Sequence, residues 1–312
     1  MNQVSNLQVV PFDAQRKRMS GFTRMWRSLW RAKTPIFGLV VLLIVFTCAV
    51  GAKWLVPYDP NMINLKVRLL PPAFADGGNP AYPLGTDDLG RDVLSRLIYG
   101  AQVSLLVGVV AVGIAGFIGI TLGMIAGFSG GIVDDIIMRL ADIQLAFPFI
   151  LLTISVLAVL TANSGSNSSN RLVPLILTLG VAQWVTYARM ARGMTLSLRE
   201  KEFVEAARAL GDSKASIIFR NIFPNALGPL IVLASFNVAS TILAEASLSF
   251  LGLGVPQTVP TWGGMLAGSR VMLLTGIWWL AVIPGLAIVL TVLAINVLGD
   301  WLRDYYDPRL RS

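Results

Sequence analysis

Residues 199–229 read REKEFVEAARALGDSKASIIFRNIFPNALGP, and the fold turns on how this stretch is understood. It lies between two apolar runs, residues 172–190 and 228–250, each about as long as a helix needs to be to cross a bilayer. The stretch itself carries too much charge to cross lipid, from Glu200 and Lys201 to Lys214 and Arg220, and too little glycine to serve as a linker. Its residues favour helix, so a folded polar element is expected between two membrane spans. Glu205-Ala206-Ala207 opens a run of good helix formers, and Gly211 is placed to close it with a left-handed cap. Asp212 is placed to cap a second helix carrying Ile217, Ile218, Ile222 and Phe223, which Pro224 should interrupt just ahead of the next span. Two short helices joined by a glycine result. Small alanines suit a close fit into a partner's groove, with Phe203 and Leu210 as apolar anchors.

Outward from this element, the composition agrees with a membrane chain. Apolar residues make up 55% of the 312 positions and charged residues 13%, too little polar surface for a soluble domain of this length. Six runs are long and apolar enough to cross: residues 35–55, 103–128, 141–160, 172–190, 228–250 and 278–298. An even count puts both termini on one side. Basic residues gather before the first run (Arg16, Lys17, Arg24, Arg31) and after the fourth (Arg192, Arg199, Lys201, Arg208), which marks those faces as cytoplasmic. That distribution accounts for the net charge of +8 through the membrane rather than through nucleic acid. The N-terminal lead, with Trp26 and Trp30 among arginines, reads as an amphipathic segment on the inner surface. The apolar run after it is too long for a cleaved signal.

Several chemistries are disfavoured. Histidine is absent, which removes the commonest general base and imidazole-based zinc sites, and the single Cys48 allows no internal disulfide. No metal site and no catalytic group is expected. A phosphate-binding loop needs Gly-Lys followed by Ser or Thr; the nearest match, Lys33-Thr34, follows Ala32.

Within the runs, Gly119, Gly123 and Gly127 recur every fourth residue and line one helical face for close packing of another backbone. Residues 85–105, GTDDLGRDVLSRLIYGAQVSL, read as an outer amphipathic elbow capped by Thr86 or Asp87. Pro148 and Pro284 should bend or loosen their spans, either as pathway features or as passive kinks. Asp142 is expected to pair with Arg139, and Asp300 with Arg303. Glu245, late in the fifth run, is a pathway candidate able to meet a cationic terminus.

Glu205-Ala206-Ala207, Gly211 and Phe223-Pro224, at this spacing between two spans, resemble the EAA motif of permease subunits of ATP-binding-cassette importers. Phe223 departs from the commoner leucine, and Asn221 stands where isoleucine is usual. Residues 85–105, 245–267 and 298–310 further resemble the second permease subunit of the dipeptide and oligopeptide importer branch. The resemblance implies an all-α polytopic type I importer permease with six membrane helices. Residues 1–34 would be a cytoplasmic amphipathic segment, 35–101 the first span with an extracytoplasmic connection, 102–298 a five-helix core containing the coupling segment 199–226, and 299–312 a cytoplasmic tail. Glu205, Ala206, Ala207, Leu210, Gly211, Asp212, Phe223 and Pro224 would meet an ATPase subunit. The implied partners are a second related permease as heterodimer, two ATPase subunits that hold ATP and Mg, and an extracytoplasmic binding protein. The implied setting is a prokaryotic plasma (inner) membrane, and the implied cargo is peptides or peptide-like solutes. A secondary transporter or channel is the alternative class; its usual internal repeat is not evident between the halves.

Overall fold

A computed structural model describes residues 33–162 and 171–306; the basic N-terminal lead therefore lies outside the described residues. Those residues form nine helices: α1 (Lys33–Leu55), α2 (Val93–Ser129), α3 (Gly131–Leu145), α4 (Phe149–Ala162), α5 (Leu172–Leu198), α6 (Glu202–Ala209), α7 (Lys214–Phe250), α8 (Trp262–Leu274) and α9 (Trp279–Tyr306). The only strand-like pairing among them is an isolated bridge between Thr86 and Asp92. Five helices, α1, α2, α5, α7 and α9, are long and apolar enough to cross a membrane, and the bent pair α3 and α4 makes a sixth crossing if taken together.

The seam between α2 and α5 organises the bundle, and glycine makes it possible. A Cβ on Gly119 would stand 2.3 Å from the carbonyl oxygen of Trp184, one on Gly123 2.2 Å from that of Ala188, and one on Gly127 2.8 Å from that of Arg192. Three glycines one turn apart therefore receive the backbone of α5 along two full turns, a contact no larger residue permits. Around this pair, α7 and α9 pack on each other, while α1 lies against α2 and α9. It leaves Leu43, Ile44 and Phe46 exposed, as suits contact with lipid.

Three expectations are corrected. Residues 141–160 do not form one straight helix. Helix α3 ends at Leu145, α4 starts at Phe149, and their axes differ by 95°. Pro148 sits in the break, where its ring and missing N–H stop the preceding helix from continuing. At 14 residues, α4 is about 21 Å long and shorter than a bilayer core. The expected elbow is instead the first turns of the 37-residue α2. Its cap is Asp92, whose Oδ2 accepts from Ser95 N at 2.8 Å and Oγ at 2.6 Å, while Thr86 and Asp87 stay in the loop before it. Helix α9 runs on to Tyr306, past the tail boundary drawn at residue 299. The stretch between the fifth and sixth runs contains α8, started by Thr261, whose hydroxyl accepts from Gly264 N at 2.9 Å.

The bundle thus has two unlike ends. One, the loop end, gathers residues 56–92 and 251–278. The other, the basic end, gathers α6, the start of α7 and the end of α9.

Candidate functional site

The projecting element is built from α6 and the start of α7. Helix α6 turns Val204 and Ala207 inward onto Ile217 and Ile222 of α7, and Phe128 and Leu198 complete this small core. Val204 and Ala207 are three residues apart and so share a face. The helix closes as the glycine position requires. Gly211 has φ +86°, its N–H donates to Arg208 O at 3.1 Å, and the N–H of Asp212 reaches back to Ala207 O at 3.1 Å. This is a Schellman closure, which satisfies the last carbonyls of the helix.

The second helix differs from expectation twice. Its cap is Ser213, whose Oγ accepts from Ser216 N at 3.2 Å, rather than Asp212. Pro224 does not interrupt it, because Ile217–Ile222 widens into a π-helical segment and the chain passes directly into Phe223–Phe250. A proline removes one N–H and crowds the carbonyl four residues before it; a π segment offset by one residue gives that ring room. The second helix of this element and the fifth crossing are therefore one 37-residue helix, Lys214–Phe250.

Its outer surface carries apolar side chains, set among charged ones, that have no partner in this chain. Leu210 is 87% exposed, Phe219 66% and Phe203 41%, and Ala206 and Ala209 are exposed beside them. Glu205, Gly211, Asp212 and Pro224 are also exposed, and Phe223 is half-buried. Ala207 is the exception within the motif: expected on the outer face, it is buried and packs α6 onto α7. Phe219 stands among the isoleucines of the same helix in the sequence. At 100° per residue it lies nearly opposite Ile217, and that offset was the available signal.

Arginines from α5 hold this end together. Arg192 makes a two-toothed pair with Asp134 of α3, at 2.5 and 2.6 Å, and Arg199 donates to Gly127 O at 2.9 Å. Asp142 pairs with Arg189 at 2.5 Å, not with Arg139, because Arg189 comes across from α5. The Arg208 guanidinium lies 6.0 Å from the centre of the Phe128 ring, within cation–π range.

The pathway candidates scatter. Pro148 lies in the α3–α4 break, and Pro284 is buried inside the continuous α9. Glu245 is fully buried within the chain. Its Oε1 accepts from Ser249 Oγ at 2.8 Å, and its Oε2 lies 3.5 Å from Ser104 Oγ of α2, which also accepts from Trp262 N at 3.4 Å. The carboxylate thereby joins α2, α7 and the start of α8. It lies at the loop end beside a second buried polar cluster. There Asp87 Oδ2 receives Arg91 Nε at 2.6 Å, its Oδ1 receives the N–H groups of Leu89 and Arg91 at 2.9 Å, and Arg96 donates to the carbonyls of Pro60 and Gln257 at 3.1 Å. Among the described residues, no group of three or more His, Cys, Asp or Glu is placed to hold a metal ion.

A helical membrane bundle with a stiff, apolar-faced projection at its basic end defines a transport subunit of the type I importer architecture. The chain belongs to the family described as binding-protein-dependent transport system inner membrane component, which matches residues 119–312, and residues 20–72 match the N-terminal transmembrane domain of oligopeptide transport permease C. It is therefore the membrane permease subunit of an ATP-binding-cassette importer. The chain is 40% identical to the di/tripeptide transport system permease protein DppC of Pseudomonas aeruginosa, over 94% of each chain. It is 41% identical to the dipeptide transport system permease protein DppC of Escherichia coli over the full length of both. Identity to the glutathione transport system permease protein GsiD of Pectobacterium atrosepticum is 39%, over 92% of each. The fold also resembles the inward-facing MetNI methionine ABC transporter. The TM-score is 0.55 at 20% identity, covering 69% of this chain and 98% of that one.

Proposed function

We propose that this chain is one of two related permease subunits of a peptide importer, with its basic end in the cytoplasm. Three full-length relatives are named for di- and tripeptides, dipeptides and glutathione, all of them peptides or peptide-like. Arg189, Arg192, Arg199, Lys201, Arg208, Lys214 and Arg220 concentrate at one end of the bundle, the pattern of a cytoplasmic face. In this orientation both termini are cytoplasmic, in a prokaryotic inner membrane. A binding protein delivers solute at the loop end, and two ATPase subunits, which hold ATP and Mg, dock at the basic end.

The single observation that carries the coupling role is the exposed set Phe203, Leu210 and Phe219 on a closed, rigid helix pair. Apolar anchors surrounded by small residues fit a cleft in a partner. Because α7 continues from this element without a break, motion of the ATPase subunits reaches the fifth crossing directly. Nucleotide binding then shifts the balance between inward-open and outward-open arrangements of the two permeases.

The test is a permease carrying Leu210→Glu and Ala206→Lys, both at exposed positions, assembled with its partners in vesicles. The variant is expected to insert and melt like the parent, to lose ATPase subunits on purification, and to fall at least about tenfold in uptake, as loss of a central apolar anchor predicts. Unchanged ATPase retention together with unchanged uptake refutes the docking role.

A further inference from the structure

A cavity of about 440 Å³ opens between α5, α7 and α9 at the basic end. This is within the range of roughly 300–1,000 Å³ typical of small-molecule sites. Its walls include Met190 of α5, Pro229, Leu233 and Phe236 of α7, and Tyr306 of α9, and the one charged side chain lining it is Arg303 of α9. Tyr306 stands where it does because Gly228 lacks a side chain: a Cβ there would come 3.1 Å from its ring.

Arg303, like Arg208 and Arg220 at the same end, differs from the arginines of α5 and its cap. Arg189 and Arg192 are each paired with a carboxylate across helices, and Arg199 with its neighbour Glu200. Arg303 makes no ion pair among the described residues, and its neighbours Asp300 and Asp304 do not line the cavity. A guanidinium beside apolar walls is a fork-shaped donor set for a carboxylate. Walls of aliphatic and aromatic groups accept side chains of many shapes without hydrogen-bonding to any of them.

We infer that this cavity is a subsite of the translocation path, in which Arg303 receives the terminal carboxylate of the transported peptide while the apolar walls accept its side chains. The inference rests on the peptide reading above. A carboxylate is the group all peptides share, and a site that reads only that group is tolerant of sequence. Its α7 wall starts at Pro229, seven residues beyond the π segment that ends at Ile222. Displacement of the coupling element therefore deforms this cavity and releases what it holds.

Two measurements on the assembled complex test it. In the first, Leu233→Cys is introduced in a Cys48→Ser background, and maleimide labelling of the nucleotide-free complex is followed with alanyl-phenylalanine or its C-terminal amide present. The free acid is expected to slow labelling at least about fivefold more than the amide, and addition of Arg303→Gln is expected to abolish that difference. In the second, ATP-driven uptake of both peptides is compared for parent, Arg303→Gln and Arg303→Lys in vesicles. Loss of one charge-assisted contact predicts about a tenfold fall for the acid in Arg303→Gln, less than twofold for the amide, and partial recovery in Arg303→Lys. Equal protection by acid and amide, or parallel loss of uptake for both, overturns the subsite. The vesicles are of phosphatidylcholine with and without phosphatidylglycerol. An Arg303 effect that appears only with the anionic lipid, and equally for both peptides, assigns the cavity to a lipid headgroup and likewise overturns it. A parent complex that imports neither peptide refutes the peptide reading itself, whereas peptide import indifferent to Arg303 refutes the subsite alone.

Discussion

At the loop end, Asp87, Arg91, Arg96 and Glu245 are buried, and their hydrogen bonds close on groups of the same chain. At the basic end, Leu210 and Phe219 stand exposed on a helix pair whose inner face is already packed. Buried charge that is fully partnered makes a surface rigid and self-sufficient, whereas exposed apolar residues on a stiff helix make a surface that is incomplete without another chain. The difference separates two kinds of surface: one end holds its own shape, and the other, on the role proposed above, is completed by a partner.

Substitutions can break or sharpen this contrast. The largest effect on stability is expected for Asp87→Ala, which leaves Arg91 and Arg96 buried without their carboxylate. Removal of one partner from a buried charged cluster costs about 3–5 kcal/mol, to be read as a lowered midpoint of thermal unfolding and reduced abundance in the membrane. A variant as stable as the parent would mean that the loop end is not a self-sufficient cluster. Next comes Gly123→Val, in the seam that ties the two ends together. The added side chain meets backbone at Ala188 rather than a movable side chain, and overpacking of about 1–3 kcal/mol follows. Smallest on this scale is Phe219→Ser, expected to shift stability by no more than about 0.5 kcal/mol while ATPase binding weakens about tenfold, as measured by subunit retention during purification. If Phe219→Ser instead melts the permease, the basic end carries its own core and the contrast disappears.

The apolar runs were legible because lipid demands continuous hydrophobicity, and the Gly119, Gly123, Gly127 stripe because close packing demands the absence of side chains. Gly211 was legible for a similar reason: its left-handed backbone favours glycine. The misses share a different cause. Hydropathy does not record direction, so the 95° turn between α3 and α4 was invisible although Pro148 marked the place. The burial of Ala207 was not legible because it depends on Ile217 and Ile222 folding back upon it. The burial of Glu245 was invisible because Ser104, far away in sequence, supplies one of its contacts. Pro224 stops a helix only if the hydrogen-bond register before it stays α-helical, and here it does not.

The continuity of α7 has a geometric effect of its own. At 37 residues and about 1.5 Å rise each, the rod is about 55 Å long. An angular displacement of a single degree about one tip therefore sweeps the other by about 1 Å. On the coupling role proposed above, small displacements at the basic end become ångström-scale displacements at the far end, which makes the continuity of this helix, more than any single contact, the property that sets the gearing of the importer.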